Sequence, residues 1–289
     1  MISELNENKF LKTKVHLKVI LEEGFRIIDE NKSTFNIYYS LFKRYIYSFE
    51  SLSLLLNDYD KNKRHREFSI SVVSRAGLLD YLITLYLATF QAQKKSNPEL
   101  TETYEKEIDK LVSEQIRRFI NIAEKDKQYK HYNHSDHCKD VDMFTKLFPD
   151  LFDPKIPIDY NKPGKSLRYQ QKDDLTTRVI RKWLDKVSDG LKNIHYQDVF
   201  YLYDLYSKYD HFGTASMLLE HTDINTVSAN ILGSIFHICE GIGFCTDLMK
   251  EEMFCKSDFE KLDYELAVLR GTVNTKTLYL SPEYKKTLQ

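Results

Sequence analysis

Residues 196–219 read YQDVFYLYDLYSKYDHFGTASMLL and are apolar on nearly every side of a helical wheel. At about 100° per residue, only Tyr201, Asp204 and Lys208 form a stripe suited to water. A helix that is apolar almost all round is normally buried within a larger helical protein. This segment therefore predicts an all-α fold in which other helices pack around it.

Ser207 and His211 lie one helical turn apart in this segment, on the same arc as Tyr203. Buried polar groups need partners. His211 is therefore either a core histidine bonded to Ser207 or to a backbone carbonyl, or part of a ligand or catalytic site. A hydrolytic triad is not expected, because nucleophile and base usually come from different elements and Asp204 is two turns from His211.

The chain has 289 residues but only 9 glycines and 6 prolines. Long periodic segments without such breakers favour an irregular helical bundle of about eight to nine helices. The length allows one large core, so residues 1–289 are predicted to form a single all-helical domain. Within it we expect a peripheral N-terminal helix at 1–31, a Pro-rich loop at 149–170 and a polar tail at 272–289. The Pro-rich loop is long enough to be a lid or a connector.

The charges of the chain are balanced, with 42 lysines and arginines, 43 aspartates and glutamates, and a net charge of -1. No global field therefore points to nucleic acid or an acidic membrane, although a local basic patch could still bind RNA. No run reaches the roughly 18 apolar residues of a membrane span, and the N-terminal segment mixes charged with apolar residues, unlike a secretory signal. With four cysteines and no CxxC pair, the sequence predicts a cytoplasmic protein that needs no membrane and no cofactor.

The third predicted helix carries Arg75 in the middle of an apolar face. The residues predicted to share that face are Phe68, Val72, Leu79, Leu82 and Tyr86. A guanidinium keeps its charge in proteins, so a buried one requires carboxylates, carbonyls or an anionic ligand. An internal ion pair with Asp80, Glu50 or Glu240 is one solution, and a ligand near His211 is the other.

A long helix predicted over 224–254 places apolar residues on one seam and polar residues opposite. The seam consists of Ile231, Ile235, Ile238, Cys239 and Ile242. The other side carries His237 and Glu240, which together with Tyr203 are candidate ligand-binding residues. Gly233, Gly241 and Gly243 would allow another helix to approach closely, or would mark a kink.

A histidine-rich segment at 130–140, KHYNHSDHCKD, contains His131, His134, His137 and Cys138. Imidazole and thiolate suit Zn²⁺, which makes the three histidines candidate metal ligands. Their spacing spreads them over about 120° of a helix, and no second Cys/His cluster lies nearby to complete a tetrahedral site. A polar interhelical loop is the simpler interpretation.

Two stretches, SVVSRAGLLDYLITLYLATF (71–90) and YLYDLYSKYDHFGTASM (201–217), resemble a group of bacterial all-helical families of unknown function. Those families carry an arginine on an early buried helix and a Tyr-x-x-Ser-x-x-x-His helix near the end. They are similar in outline to the HEPN superfamily, many members of which are ribonucleases or components of toxin and phage-defence systems. The resemblance covers residues 35–245 in architecture, and in motif only Arg75, Tyr203 or Tyr206, Ser207 and His211.

The chain departs from the HEPN ribonuclease pattern of Arg, four to six residues, then His on one helix. No arginine in this sequence has a histidine at that spacing. The resemblance therefore implies a related fold more strongly than it implies nuclease activity.

Together these observations predict a cytoplasmic binding or scaffold protein, homodimeric, in which Arg75, Ser207 and His211 form a buried polar site. The first alternative is a HEPN-related enzyme that cleaves RNA or handles nucleotides, with His211 as general acid/base and Arg75 stabilising a phosphate. It requires the two side chains to lie within about 10 Å of each other, so that one phosphate can bridge them. The second alternative is a metal-binding protein that uses His131, His134 and His137. Each of these three functions is compatible with a protein or RNA partner.

Overall fold

The computed structural model describes residues 4–32, 36–57, 59, 64–128, 134–168, 175–187, 196–207, 223–251 and 257–273, with the backbone alone at 4, 5, 115, 119 and 121–128. Over these residues it contains nine α-helices, three short 3₁₀ turns and no β-strand. The predicted all-α fold with eight to nine helices is confirmed.

The α-helices run, in chain order, as α1 (Glu4–Glu30), α2 (Ile37–Asn57), α3 (Arg66–Ser96), α4 (Thr101–Gln128), α5 (His134–Leu147), α6 (Thr177–Lys186), α7 (Tyr196–Ser207), α8 (Ile224–Glu251) and α9 (Glu260–Val273). The chain divides into two compact units: unit 1 comprises Met1–Ala88 and Ile180–Gln289, and unit 2 comprises Thr89–Val179. Each unit is described separately below. The expectation of a single domain stays a prediction.

Helix α8 is the central helix of unit 1, and 19 of its 28 residues are buried. The predicted seam of this helix is confirmed, because every member is at most 1% exposed. Glycines let neighbouring helices come close to it. A Cβ added at Gly77 on α3 would lie 2.7 Å from Cδ1 of Ile238, and one added at Gly241 would lie 2.5 Å from the hydroxyl of Tyr45 on α2.

Helix α1 belongs to the core of unit 1, although the sequence predicts a peripheral helix. Leu17, Ile20 and Ile27 are fully buried. Polar side chains of α1 contact α9: Glu23 pairs with Lys261 at 2.7 Å, and Nδ1 of His16 lies 2.8 Å from Oε2 of Glu265. Alternation of charged and apolar residues thus marks a helix with one buried face.

The inward face of α3 differs from the predicted one. Phe68 and Val72 are 45% and 37% exposed, while Ser74 and Tyr81 are fully buried. The small side chains of Ser74 and Gly77 allow α8 to pack against that side of α3, which turns the bulkier Phe68 and Val72 outward. The helical wheel identified the apolar residues of α3 correctly. It could not show which of them face α8, because that depends on how the two helices fit together.

The Pro-rich segment of unit 2 is ordered over residues 149–168 and packs into a core. Leu151, Phe152 and Leu167 are buried against Ile116 and Ile120 of α4. An isolated antiparallel bridge joins Phe152 to Leu167, and the amide of Arg168 donates to the carbonyl of Leu151 at 2.8 Å. This segment is therefore part of the core of unit 2, and its interpretation as a lid or a connector stays a prediction.

Two helices, α3 and α8, are long and apolar enough to cross a membrane by length and composition alone. Of their most apolar windows, 67% and 72% respectively are buried inside the protein. Core helices of soluble proteins pass the same test, so the cytoplasmic location and the absence of membrane contact stay predictions.

Candidate functional site

Arg75 is held against Tyr203, which joins α3 to α7. Its guanidinium carbon lies 5.1 Å from the centre of the Tyr203 ring, and Nη2 donates to the Tyr203 hydroxyl over 3.4 Å. A guanidinium over an aromatic face gains about 0.5–2 kcal/mol, depending on its desolvation. The sequence named both residues as candidates, and the structure brings them together.

Two of the carboxylates considered as partners for Arg75, Asp80 and Glu240, have partners of their own. Asp80 is 1% exposed and accepts hydrogen bonds from Arg44 of α2, whose Nη2 lies 2.8 Å from Oδ1. Burial raises the pKa of Asp80 to about 6, against the opposing effect of Arg44. Arg44 was missed by the sequence analysis because its helix position looks like an ordinary surface site. Glu240 instead pairs with His237.

His237 is the most enclosed of the candidate residues. It is 2% exposed, and its ring lies 5.9 Å from that of Tyr81 and 5.2 Å from that of Phe236, centre to centre. Nδ1 lies 3.1 Å from Oε2 of Glu240. Because a carboxylate only accepts, Nδ1 carries the proton and donates it.

The second ring nitrogen of His237, Nε2, is buried and has no hydrogen-bond partner among the residues that the structure describes. An unsatisfied buried polar atom costs about 1–3 kcal/mol. The neighbouring phenol of Tyr81 is also affected by its surroundings, because burial and the Glu240 carboxylate raise its pKa. The ring of His237 is therefore oriented by one partner, while its other nitrogen is enclosed without one among the described residues.

Ser74 supplies a second open polar atom at the same helix contact. Its side chain is fully buried and its hydroxyl oxygen has no partner. Ser74 lies one turn before Gly77, which packs on Ile238, the residue that follows His237. Two pairs, Arg75 with Tyr203 and His237 with Glu240, and the buried Ser74 are polar side chains of α3, α7 and α8 in unit 1. We call these five residues the polar cluster. The residue that sequence reasoning missed here is Ser74, and its small size beside Gly77 was the available signal.

A buried hydroxyl pair ties α7 to α8 beside this cluster. The hydroxyl of Ser234 lies 3.0 Å from that of Tyr206 and donates to the carbonyl of Asn230 at 2.8 Å. Tyr206 is therefore an internal structural contact between the two helices. Of the two tyrosines in the resemblance motif, Tyr203 is the one that meets Arg75.

Ser207 ends α7 and its hydroxyl donates to the carbonyl of Asp204 over 2.7 Å, within its own helix. Its side chain is partly exposed, so the expectation of a buried serine is wrong. His211 lies outside the described residues. The predicted Ser207 and His211 pair, and the approach of His211 to Arg75, therefore stay predictions.

The histidine-rich segment places its described members in two different settings in unit 2. His137 is fully buried and its Nε2 lies 2.7 Å from the carbonyl oxygen of Tyr160. His134 lies on the surface, with Nε2 3.6 Å from Sγ of Cys138. Across the part of the chain that the structure describes, no three His, Cys, Asp or Glu residues form a group that could hold a metal ion. His131 is not among those residues.

Cys239 and Cys245 are buried free thiols of α8. Burial raises the pKa of both well above the ordinary thiol value. Such thiols are unreactive, as expected for small core side chains. Cys255 lies outside the described residues.

Comparison of the chain with protein-family models, with curated proteins and with solved structures finds no match. The resemblance to bacterial helical families and to HEPN domains accordingly stays a prediction. The site is interpreted below from its own geometry.

Proposed function

We propose that the protein is a binding protein whose polar cluster takes a small molecule with two features: a carboxylate or phosphate group for Arg75, and a hydroxyl or amine donor for Nε2 of His237. The observation that carries this proposal is the buried Nε2 atom of His237, oriented through Nδ1 by Glu240 and left without a partner. A buried polar atom in that condition is uncommon unless a ligand or water completes it.

Arg75 supplies the affinity for an anionic group. Its planar fork of donors matches the two oxygens of a carboxylate or phosphate, and stacking on Tyr203 fixes the plane of that fork. Charge-assisted hydrogen bonds of this kind contribute more than neutral ones. Ser74 precedes Arg75 in the sequence. Its buried hydroxyl, which has no partner among the described residues, can both donate and accept a hydrogen bond.

The proposal is tested by thermal-shift screening with inorganic phosphate, adenosine monophosphate and glutarate as probes, followed by calorimetric titration of any probe that stabilises the protein. We expect Arg75→Ala to weaken binding at least about tenfold, because it removes the charged fork. Tyr203→Phe keeps the ring and should bind within a factor of about three of the wild type. Arg26→Ala is the matched control, since Arg26 pairs with Glu23 and Glu30 away from the cluster.

Equal affinity in the wild type and Arg75→Ala, with both folded by circular dichroism, would overturn the proposal. So would the absence of stabilisation by all three probes. Incubation with a labelled single-stranded RNA covers the enzymatic alternative. Cleavage that is lost in His211→Ala, in a protein that remains folded, would replace binding by HEPN-related catalysis.

A further inference from the structure

The most exposed large apolar side chains of the described residues gather on three helices. Leu54 is 68% exposed, Leu11 and Tyr264 are each 65% exposed, and Val15 is 61% exposed. No other large apolar residue described by the structure exceeds 52%. Leu11 and Val15 lie on α1, Leu54 on α2 and Tyr264 on α9.

These helices form one layer of unit 1 with α1 in the middle. On one side, Gly24 of α1 packs on Ile46 and Lys14 donates to the carbonyl of Asn57 over 3.5 Å, so α2 runs antiparallel to α1. On the other side of α1, the pairs of His16 with Glu265 and of Glu23 with Lys261 show that α9 is antiparallel as well.

The apolar residues point away from the core of this layer. On α1, the fully buried Leu17 and Ile20 lie on the side of the helical wheel opposite Leu11 and Val15. We call Leu11, Val15, Leu54 and Tyr264 the outer face. Single exposed apolar residues are ordinary, but a set aligned across adjacent helices is typical of a protein interface.

Two of the charged residues that flank Leu11 and Val15 complement each other across a two-fold axis. Glu7 lies one turn before Leu11, and Lys18 lies one turn after Val15. Both side chains are exposed, and neither forms an ion pair within the described part of the chain. A two-fold axis between Leu11 and Val15 would set two copies of α1 antiparallel, with Leu11 against the second Val15 and Glu7 beside the second Lys18.

We propose that the outer face joins two copies of this chain in an antiparallel α1 to α1 dimer. The two-fold axis duplicates each contact, giving two apolar pairs and two ion pairs along α1, with Leu54 and Tyr264 at the flanks. A second copy is the occupant favoured by one pair of charges, because Glu7 and Lys18 of one α1 would lie beside Lys18 and Glu7 of the other. The inference is independent of the polar cluster.

Sedimentation velocity of the full chain over a range of concentrations tests the dimer. We expect the wild type to be dimeric, and Leu11→Asp with Val15→Asp to weaken the dimer at least about 100-fold, because both symmetric apolar pairs are lost. Leu147→Asp is the control: Leu147 is 52% exposed but lies on α5 of unit 2, and its substitution should leave the dimer unchanged. Circular dichroism verifies that each variant is folded.

The register is tested by reversing the charges. Glu7→Lys and Lys18→Glu should each weaken the dimer about tenfold, since each turns two attractive pairs into repulsive ones. The double variant restores opposite charges and should recover wild-type affinity. A wild type that is monomeric at about 100 µM would overturn the proposal. A dimer that persists in the double aspartate variant, or charge reversals that fail to rescue each other, would overturn it as well.

Discussion

Asp80 and His237 are both buried polar side chains of unit 1, and they differ in how completely they are satisfied. Asp80 is enclosed but receives the guanidinium of Arg44 from the solvent side, with three nitrogen to oxygen distances of 2.8–3.0 Å. His237 receives one partner and keeps one nitrogen open. On this basis we interpret Asp80 as a residue that stabilises the fold and His237 as a residue suited to a ligand.

We expect the largest loss of stability when the pair between Arg44 and Asp80 is broken. Arg44→Ala leaves the Asp80 carboxylate buried without its counter-charge, which should lower the free energy of unfolding at pH 9 by about 3 kcal/mol. At that pH, protonation of an acid whose pKa is about 6 offsets little of the loss. Urea unfolding measures this loss. Lys139→Ala is the control, because its pair with Asp136 is exposed and should contribute less than about 1 kcal/mol. A loss in Arg44→Ala no larger than in the control would contradict the structural role of the pair.

The same pair predicts a pH dependence. The pKa of Asp80 in the folded protein is about 6, above the 3.8 that is ordinary for an aspartate. The raised value means that folding favours the protonated acid, so the contribution of Asp80 to stability is complete below pH 4 and is lost as the pH rises to 6. The loss amounts to about 3 kcal/mol. Asp80→Asn should flatten this part of the pH profile of unfolding, and an unchanged profile would contradict the assignment.

The contact between α3 and α8, which carries the polar cluster, should be intermediate in sensitivity. Gly77→Ala places a Cβ 2.7 Å from Cδ1 of Ile238, and overpacking of this kind costs about 1–3 kcal/mol. Ile238→Val removes that Cδ1 and should recover part of the loss in the double variant. Gly271→Ala is the control, since a Cβ there meets nothing within 4 Å, and should stabilise α9 by up to about 1 kcal/mol.

We expect the smallest change in stability from a substitution of His237. His237→Leu removes the hydrogen bond to Glu240 but also removes the unpartnered Nε2, so the two terms nearly cancel and stability should change by less than about 1 kcal/mol. Thermal unfolding provides the measurement. A loss above about 3 kcal/mol would place His237 in the same structural class as Asp80 and remove the basis for a ligand there.

The helical fold was predictable because apolar periodicity and the scarcity of glycine and proline report local structure directly. The seam of α8 followed from that periodicity alone. The inward side of α3 did not, because the choice between Val72 and Ser74 depends on which neighbour fits against it. Small side chains face the neighbouring helix where two backbones approach closely. A helical wheel that ranks residues by hydrophobicity does not select them.

The sequence identified residues of the site one by one, but it did not show which of them contact each other. Arg75, Tyr203, His237 and Glu240 were all named from helix positions, but their pairing depends on how helices far apart in sequence pack together. The partner of Asp80 was missed for the same reason. An arginine on a surface stripe can reach a buried carboxylate through its long side chain, and no spacing rule within one helix reveals this.

Unit 1 is discontinuous in sequence, since its two parts, Met1–Ala88 and Ile180–Gln289, enclose the whole of unit 2. During synthesis the chain of unit 2 is finished before α8 exists, so unit 2 can fold while α3 still lacks its main neighbour. Gly77 and Ile238 meet only after a loop of more than 150 residues closes, and such non-local contacts form slowly. The polar cluster is therefore assembled only after α8 has been synthesised, and until then the apolar side of α3 lacks the helix that buries it.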